Sequence, residues 1–144
     1  MKKPFFLILI STLFSFALNG QVTLTIVIKN LESDEGRVLV DFRDGNNKMV
    51  KEFTEKIRNK QCTIAISGLK SGKYSFKYFH DKNNNKKLDT YWIGAPKEGF
   101  GFSNNAMGKF GPPDFNKTIF ELKKDVRIEC FPRYIKLYGT SKNS

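Results

Sequence analysis

Apolar and polar residues alternate along much of the chain, as they do in β-strands that bury one face. The segment 22–28, VTLTIVI, places an apolar residue at every second position. The same pattern predicts strands at 37–42 (RVLVDF), 61–67 (QCTIAIS), 73–80 (KYSFKYFH), 118–122 (TIFEL), 125–131 (DVRIECF) and 134–139 (YIKLYG). A less regular extended segment is predicted over 49–57. Helical periodicity is nearly absent, so the pattern predicts an all-β fold.

Turn signals separate these strands at regular intervals. Residues 44–47 read DGNN and residues 68–72 read GLKSG, compositions that favour tight turns. About seven short strands spaced in this way are typical of an antiparallel β-sandwich of Greek-key type. We expect a single such domain over residues 21–139, with one long ordered loop and a polar tail at 140–144.

The first twenty residues have the features of an export signal. Lys2 and Lys3 precede an apolar run over residues 5–18, which is the layout of a signal peptide. That run is shorter than the about 20 residues that cross a membrane. We therefore expect cleavage of residues 1–20 and a periplasmic or extracellular protein with no later transmembrane segment. An uncleaved anchor is the alternative.

The charge balance has two interpretations, one of which is an anionic partner. The formal net charge is +11, from 25 Lys and Arg against 14 Asp and Glu, and such a surface attracts acidic glycans or other anionic components of the cell envelope. The alternative is a lysine-rich composition without a dedicated partner. The basic residues are scattered and form no arginine-rich stripe, so we expect no nucleic-acid ligand.

Two cysteines, Cys62 and Cys130, lie in predicted strands. Each shares a strand face with isoleucine residues, so both thiols should point inward. In an oxidising compartment they could form a disulfide that closes most of the domain. Two buried free thiols are the alternative.

A polar segment follows the strand 73–80 and has the spacing of a calcium loop. Asp81, Asn83, Asn85 and Asp89 stand at relative positions 1, 3, 5 and 9, where alternate oxygen ligands converge on the cation. Lys86 occupies the position that is normally glycine, and few carboxylates are present. Any calcium site here should therefore be weak, with Kd about 0.1–1 mM. A self-capped Asx-rich turn is the alternative.

Aromatic residues and glycines follow this segment. We predict a ligand-binding surface for sugars or other flat ligands, because exposed rings stack on such molecules and side-chain amides bind their polar groups. Its candidate residues are Tyr91, Trp92, Glu98, Phe100, Phe102 and Asn104. The alternative is that the rings pack on the scaffold and cap one end of the fold.

His80 is the only histidine, and Asp81 follows it directly. Neighbouring residues of a strand point to opposite faces, so the pair is no ready catalytic dyad, and His80 is expected to brace the loop. The sequence has no nucleophile elbow, phosphate-cradling glycine loop or histidine cluster for zinc. We therefore assign no catalytic residue. A small periplasmic hydrolase that uses His80 with Asp81 or Glu98 is the alternative.

Four motifs give the chain a family resemblance. They are GLKSGKY at 68–74, HDKNNNKKLD at 80–89, GAPKEGFGFS at 94–103 and GPPDF at 111–115. Together they resemble the exported bacterial family known as domain of unknown function 2141, with Lys86 where that family has glycine. The motif at 68–74 is also similar to transthyretin-like and carboxypeptidase-regulatory-like sandwiches, which implies the same fold class by analogy.

The resemblance implies no activity, because the family has none established. The sequence therefore favours an exported binding or envelope-associated accessory module of unknown ligand, and not an enzyme. The hydrolase and a basic adaptor for anionic envelope polymers are the two alternatives.

Overall fold

The computed structural model describes residues 20–137 and confirms the all-β prediction. Its strands are β1 (Val22–Ile28), β2 (Arg37–Asp44), β3 (Met49–Lys56), β4 (Cys62–Leu69), β5 (Gly72–Asp81), β6 (Phe100–Phe102), β7 (Phe120–Leu122) and β8 (Val126–Cys130). A 3₁₀ turn (Ser103–Asn105) and a four-residue helix α1 (Phe115–Thr118) complete the secondary structure. The predicted signal peptide, except Gly20, and the predicted tail lie outside the described residues.

The strands form two sheets. The smaller sheet has the order β4-β1-β8, and the larger one has the order β3-β2-β5-β6, with β7 also paired to β5. β6 meets the Asp81 end of β5 and β7 meets its Gly72 end, so one edge of β5 is shared by two short strands. Two strands share this edge because neither three-residue strand is long enough to pair along the whole of β5.

Both sheets contribute to one hydrophobic core, which gives a sandwich-like arrangement. The inward positions of the central strands β1, β2 and β5 are almost fully buried, among them Ile26, Val40 and Phe76. These are the apolar positions of the period-2 patterns, since alternate residues of a strand face the same side. The prediction of a half-buried alternating strand therefore holds for each of the three.

The purely antiparallel sheet that we predicted is wrong at one pair of strands. β1 and β8 run parallel, with Ile26 opposite Ile128. The chain leaves β7 in the larger sheet, crosses to the smaller one, and enters β8 in the direction of β1. Asp125 lies at this crossing, where its Oδ1 accepts the backbone N–H of Thr23 at the start of β1 (2.8 Å). Alternation sets which face is buried but carries no information about strand direction.

Cys62 and Cys130 are free and buried, so the predicted disulfide is absent and the alternative of two free thiols is the one found. Both cysteines pair with Ile28, from β4 on one side and from β8 on the other. Two strand spacings of roughly 4.8 Å each then separate their backbones. That separation exceeds the roughly 7 Å limit between the Cα atoms of a disulfide.

The predicted strand over 134–139 is also wrong for its described part, residues 134–137. Arg133, directly before this segment, is bridged to Phe100 of β6, and the N–H group of each residue donates to the carbonyl of the other (3.0 and 2.7 Å). Tyr134 then turns its ring under Gly99. Over residues 20–137, no helix is both long and apolar enough to cross a membrane.

Candidate functional site

The Asn-rich loop (residues 82–99) joins β5 to β6 and is anchored by a buried carboxylate. Asp81 is only 1% exposed. Its Oδ1 accepts the N–H of Asn85 (3.1 Å) and its Oδ2 accepts the N–H of Lys86 (2.8 Å). Asn84 and Lys86 have positive φ angles of 57° and 62°. The carboxylate thus holds a tight turn that has no glycine.

The four predicted calcium ligands do come together around this turn. The side-chain amides of Asn83 and Asn85 donate to the two oxygens of Asp89 (2.6 and 3.0 Å). The side-chain oxygens of Asn83 and Asn85 accept the backbone N–H groups of Asn85 and Lys87 (3.2 and 2.8 Å). The loop therefore uses each of these oxygens for its own hydrogen bonds. Across the described residues, no group of three His, Cys, Asp or Glu side chains is placed to hold a metal ion.

Glu98 fastens the far end of the Asn-rich loop to its start. The side chain is buried, with Oε1 accepting the N–H of Lys82 (3.0 Å) and Oε2 accepting the N–H of Asp89 (3.1 Å). We predicted Glu98 as part of a ligand surface. Its two oxygens instead bind backbone amides of the loop.

His80 is buried to 1% exposure beneath the same loop. Its Nε2 lies 2.7 Å from the carbonyl of Glu35 and its Nδ1 lies 3.2 Å from the hydroxyl of Tyr134. A carbonyl only accepts, so Nε2 carries the hydrogen and Nδ1 accepts from Tyr134. That hydroxyl in turn accepts the N–H of Glu32 (2.8 Å). Both ring nitrogens are thus occupied by the protein, as a brace requires.

A concave surface outside the core lies on the larger sheet. We call the face of this sheet that points away from the core the outer face. Strand pairing sets three rows of residues across it, namely Lys56–Arg37–Asp81, then Thr54–Leu39–Phe79–Phe100, then Glu52–Asp41–Lys77–Phe102. The middle row is mostly apolar, although alternation would place polar residues on a solvent-facing side.

A groove of about 490 Å³ lies over the second and third rows. We call it the outer-face groove. Phe79, Phe100 and Phe102 line its apolar part, and the rings of the last two meet edge to face at 6.4 Å. Lys86 and Leu88 of the Asn-rich loop form part of its lining. The loop therefore adds depth to a sheet surface that would otherwise be flat.

Charged groups lie beside these rings. Asp41 forms ion pairs with Arg43 (2.8 Å) and Lys77 (3.4 Å). The hydrogen bond to Asp41 is the main reason that the pKa of Arg43 is raised above its usual value. Glu52, from the neighbouring strand, also lines the groove. The groove thus offers apolar faces next to fixed hydrogen-bonding groups.

Other residues of the predicted ligand surface lie elsewhere. Trp92 is 93% exposed at a turn of the Asn-rich loop, and Lys97 lies over the ring of Tyr91 (5.6 Å). The Asn104 amide donates to the carbonyls of Lys117 and Ile119 (3.0 and 2.9 Å), so it braces the return of the chain. None of these three lines the outer-face groove.

Sequence reasoning missed Leu39, Asp41, Lys77 and Phe79 as groove residues. A signal for two of them was present, because Leu39 and Phe79 place apolar side chains on the polar side of otherwise alternating strands. An apolar residue at such a position indicates a covered or ligand-binding face. Asp41 and Lys77 carry no such signal, since charged residues are expected there.

Comparison with known proteins identifies a family but no characterised relative. Residues 26–129 match the bacterial family described as "Uncharacterized protein conserved in bacteria (DUF2141)", which confirms the resemblance drawn from the motifs. No curated protein matches the chain.

Proposed function

Since the chain belongs to the uncharacterised bacterial family DUF2141, we propose its function from its own geometry, as a binding module that holds a glycan in the outer-face groove. The module is exported, acts in the periplasm or outside the cell as an envelope-associated accessory protein, and catalyses no reaction. Its fold is a Greek-key β-sandwich, which is supported by the common core of the two sheets.

The observation that carries this proposal is the pairing of aromatic rings with charged groups in one groove. Phe79, Phe100 and Phe102 offer apolar faces for the C–H side of a sugar ring. Asp41, Glu52 and Lys77 are placed beside them, where they can bind sugar hydroxyls. Ligand sites typically combine an apolar lining with a few polar groups in this way, at volumes of about 300–1,000 Å³.

A matched pair of aromatic variants tests this proposal. Phe100→Ala removes a ring from the groove, whereas Trp92→Ala removes an exposed ring outside it. We expect Phe100→Ala to lower the affinity for a bound oligosaccharide at least about tenfold and Trp92→Ala to leave it within about twofold. Isothermal titration calorimetry against neutral and acidic oligosaccharides measures both. Equal losses of affinity in the two variants would mean that the oligosaccharide does not bind in the groove.

Weak calcium binding by Asp81, Asn83, Asn85 and Asp89 is a separate proposal. Its support is that Asn83, Asn85 and Asp89 lie within hydrogen-bond distance of one another, so that a cation would compete with these hydrogen bonds for their oxygens. With Kd near 1 mM, 10 mM calcium would stabilise the fold by about 1.4 kcal/mol and raise Tm by a few degrees. Thermal unfolding in EDTA, calcium and magnesium measures this. Identical Tm values in all three would mean that hydrogen bonds alone order the loop.

A further inference from the structure

The outer-face groove does not end at its aromatic part. Thr54 and Lys86 line both the groove and a neighbouring pocket of about 420 Å³. Arg37 lines that pocket and also a third one of about 520 Å³, between β3 and β4. We call the third pocket the cationic cleft, because Arg37, Lys56 and Arg58 line it. Because they share these lining residues, the three spaces adjoin one another and form a path from the outer face to the edge where β3 meets β4.

The cations of this path have no partners among residues 20–137. Arg37, Lys56, Arg58 and Lys86 form no ion pair there, whereas Lys77 of the groove and the nearby Arg43 are both paired with Asp41. The cleft itself contains one acidic side chain, Glu55. Asp81 lines the connecting pocket, but its oxygens already accept two backbone N–H groups. The cleft and the connecting pocket therefore hold four cations against two carboxylates, an excess of positive charge that the protein does not neutralise.

The turn that carries Arg58 is held in place before any ligand binds. Arg58 and Gln61 exchange backbone hydrogen bonds (2.9 and 3.1 Å) around Asn59 and Lys60, whose φ angles are +53° and +56°. Asp34 accepts the N–H groups of both residues at the tip. A two-residue turn of this type without glycine is strained, and the carboxylate offsets that strain. Because the turn that carries Arg58 is already ordered, a ligand that binds there loses less free energy to the ordering of the protein chain.

We propose that the ligand of the outer-face groove is an acidic glycan whose carboxylate, sulfate or phosphate groups bind Arg37, Lys56 and Arg58 in the cationic cleft. This inference rests on the proposed glycan-binding function and adds the charge of the ligand. Guanidinium groups bind such oxyanions through two parallel hydrogen bonds, and an unpaired cation gains most from a new partner. The sugar rings stack on Phe79 and Phe100, and the acidic substituents extend past Thr54 to the cleft.

The lining of the path favours a glycan over a lipid. An acyl chain in the groove would bury Asp41, Glu52 and Lys77 against methylene groups that offer them no hydrogen bond. Sugar hydroxyls supply those bonds. A lipid headgroup could fill the cationic cleft alone, so anionic vesicles are included in the test.

The test compares tetragalacturonate with its fully methyl-esterified form, which keeps the sugar chain and loses the charge. We expect calorimetry on residues 21–144 to give at least about tenfold tighter binding of the acidic form at low salt, and a loss of that advantage at 0.5 M NaCl. The triple variant Arg37→Gln, Lys56→Gln, Arg58→Gln should bind both forms equally.

The control variant is Lys70→Gln, Lys123→Gln, Lys124→Gln. It removes the same charge at the opposite end of β5, where β7 pairs with Gly72. Its preference for the acidic form should be unchanged, and the Tm of each variant shows that it is folded. An equal loss in the control would mean nonspecific charge attraction and would overturn the proposal.

The remaining outcomes separate this inference from the proposed function. Equal binding of both forms, abolished by Phe100→Ala, would keep the glycan groove and overturn the acidic ligand. Binding of the acidic form that Phe100→Ala leaves unchanged would overturn both and identify a general polyanion adaptor. Binding to phosphatidylglycerol vesicles without binding to tetragalacturonate would overturn both in favour of a membrane surface.

Discussion

Buried polar side chains complete hydrogen bonds that the backbone of this protein leaves open. Ser103 is fully buried, where its hydroxyl accepts the N–H of Phe76 (3.1 Å) and donates to the carbonyl of Thr118 (2.5 Å). Glu98 serves the Asn-rich loop in the same way. A buried polar group costs stability unless it is bonded, so each of these residues fits one place in the fold. None is recognisable from its sequence neighbours alone.

His80→Ala should lower the stability of the fold by about 2–4 kcal/mol, since it opens a cavity and removes the ring nitrogens that bond the Glu35 carbonyl and the Tyr134 hydroxyl. Urea unfolding followed by circular dichroism measures the change. Tyr134→Phe is the milder control, because it removes one hydroxyl and keeps the ring, at about 1 kcal/mol. An unchanged stability together with loss of a hydrolytic turnover would instead support His80 as a catalytic base.

The two buried thiols should make stability fall at alkaline pH. Burial raises the pKa of Cys62 and Cys130 to about 12 from an ordinary value of 9.0. Above pH 9 the unfolded chain loses thiol protons that the folded chain keeps, so unfolding is favoured increasingly up to about pH 12. The slope is at most about 1.4 kcal/mol per pH unit for each thiol.

Urea unfolding at pH 8, 9.5 and 11 checks this expectation, with Cys62→Ala, Cys130→Ala as the comparison. The double variant should lose stability less steeply with pH, although it is less stable at pH 8. Folded wild-type protein should also react slowly with a thiol reagent at pH 8, since the thiols are buried and protonated. If the free energy of unfolding fell equally steeply with pH in both proteins, the two thiols would not be the cause of the alkaline loss of stability.

At the scale of secondary-structure elements, the short strand β6 contacts the core on one side and lines the groove on the other. Its flanking residues Phe100 and Phe102 point to the outer face, while Gly101 lies against the ring of Tyr78. Only a residue without a side chain permits this approach, because an added Cβ would stand 2.3 Å from the Tyr78 hydroxyl oxygen. The position of the groove rings thus depends on a contact on the other side of the sheet.

Gly101→Ala should therefore destabilise the fold by about 1–3 kcal/mol and weaken glycan binding, because β6 must move away from Tyr78. Gly72→Ala is the control, since its added methyl group would meet no atom closer than 3.8 Å. The Tyr78 hydroxyl is buried without a hydrogen-bond partner within the described residues. Tyr78→Phe should thus be tolerated on its own. It should not rescue Gly101→Ala, because the Cζ and Cε1 atoms of the ring would still lie 2.4 and 2.8 Å from the added Cβ. Calorimetric Tm values check this, and a full rescue would mean that the hydroxyl alone is the obstacle.

On the scale of the whole molecule, the larger sheet has two different faces. One face packs on the smaller sheet, and the other carries the groove, with the cationic cleft at its β3 edge. The edge strand β3 closes this sheet with the charged residues Lys51, Glu52, Glu55 and Lys56. Charged side chains on an edge oppose pairing with other chains. The β3 edge of the larger sheet is therefore protected against pairing with other chains.

One shared core should make the two sheets unfold together. Ile26 lies at the centre of β1, is fully buried and packs in the common cluster. Ile26→Ala should cost about 2–5 kcal/mol, whereas Thr25→Ala on the other face of β1 should cost less than about 1 kcal/mol. Circular dichroism and the exposure of Cys62 and Cys130 to a thiol reagent should give the same unfolding midpoint. Separate midpoints would mean that the sheets are independent units.

Local sequence determined which elements form and what they bury. Period-2 alternation predicted β1, β2, β4 and β5 with their inward faces, and the Asp and Asn spacing brought Asp81, Asn83, Asn85 and Asp89 into one turn. These features could be predicted because each depends on residues close together in the chain. The family match rests on the same local motifs.

Only the tertiary structure decided which strands are neighbours in a sheet and which of their residues are paired. The parallel β1–β8 pair, the separation of Cys62 from Cys130 by β1, and the rows that join Phe79 to Phe100 all come from strand order and register. The groove and the cationic cleft depend on the same pairings, between residues far apart in sequence. Alternation within a strand shows which side chains share a face, but the identity of the neighbouring strand is set by how the whole chain packs.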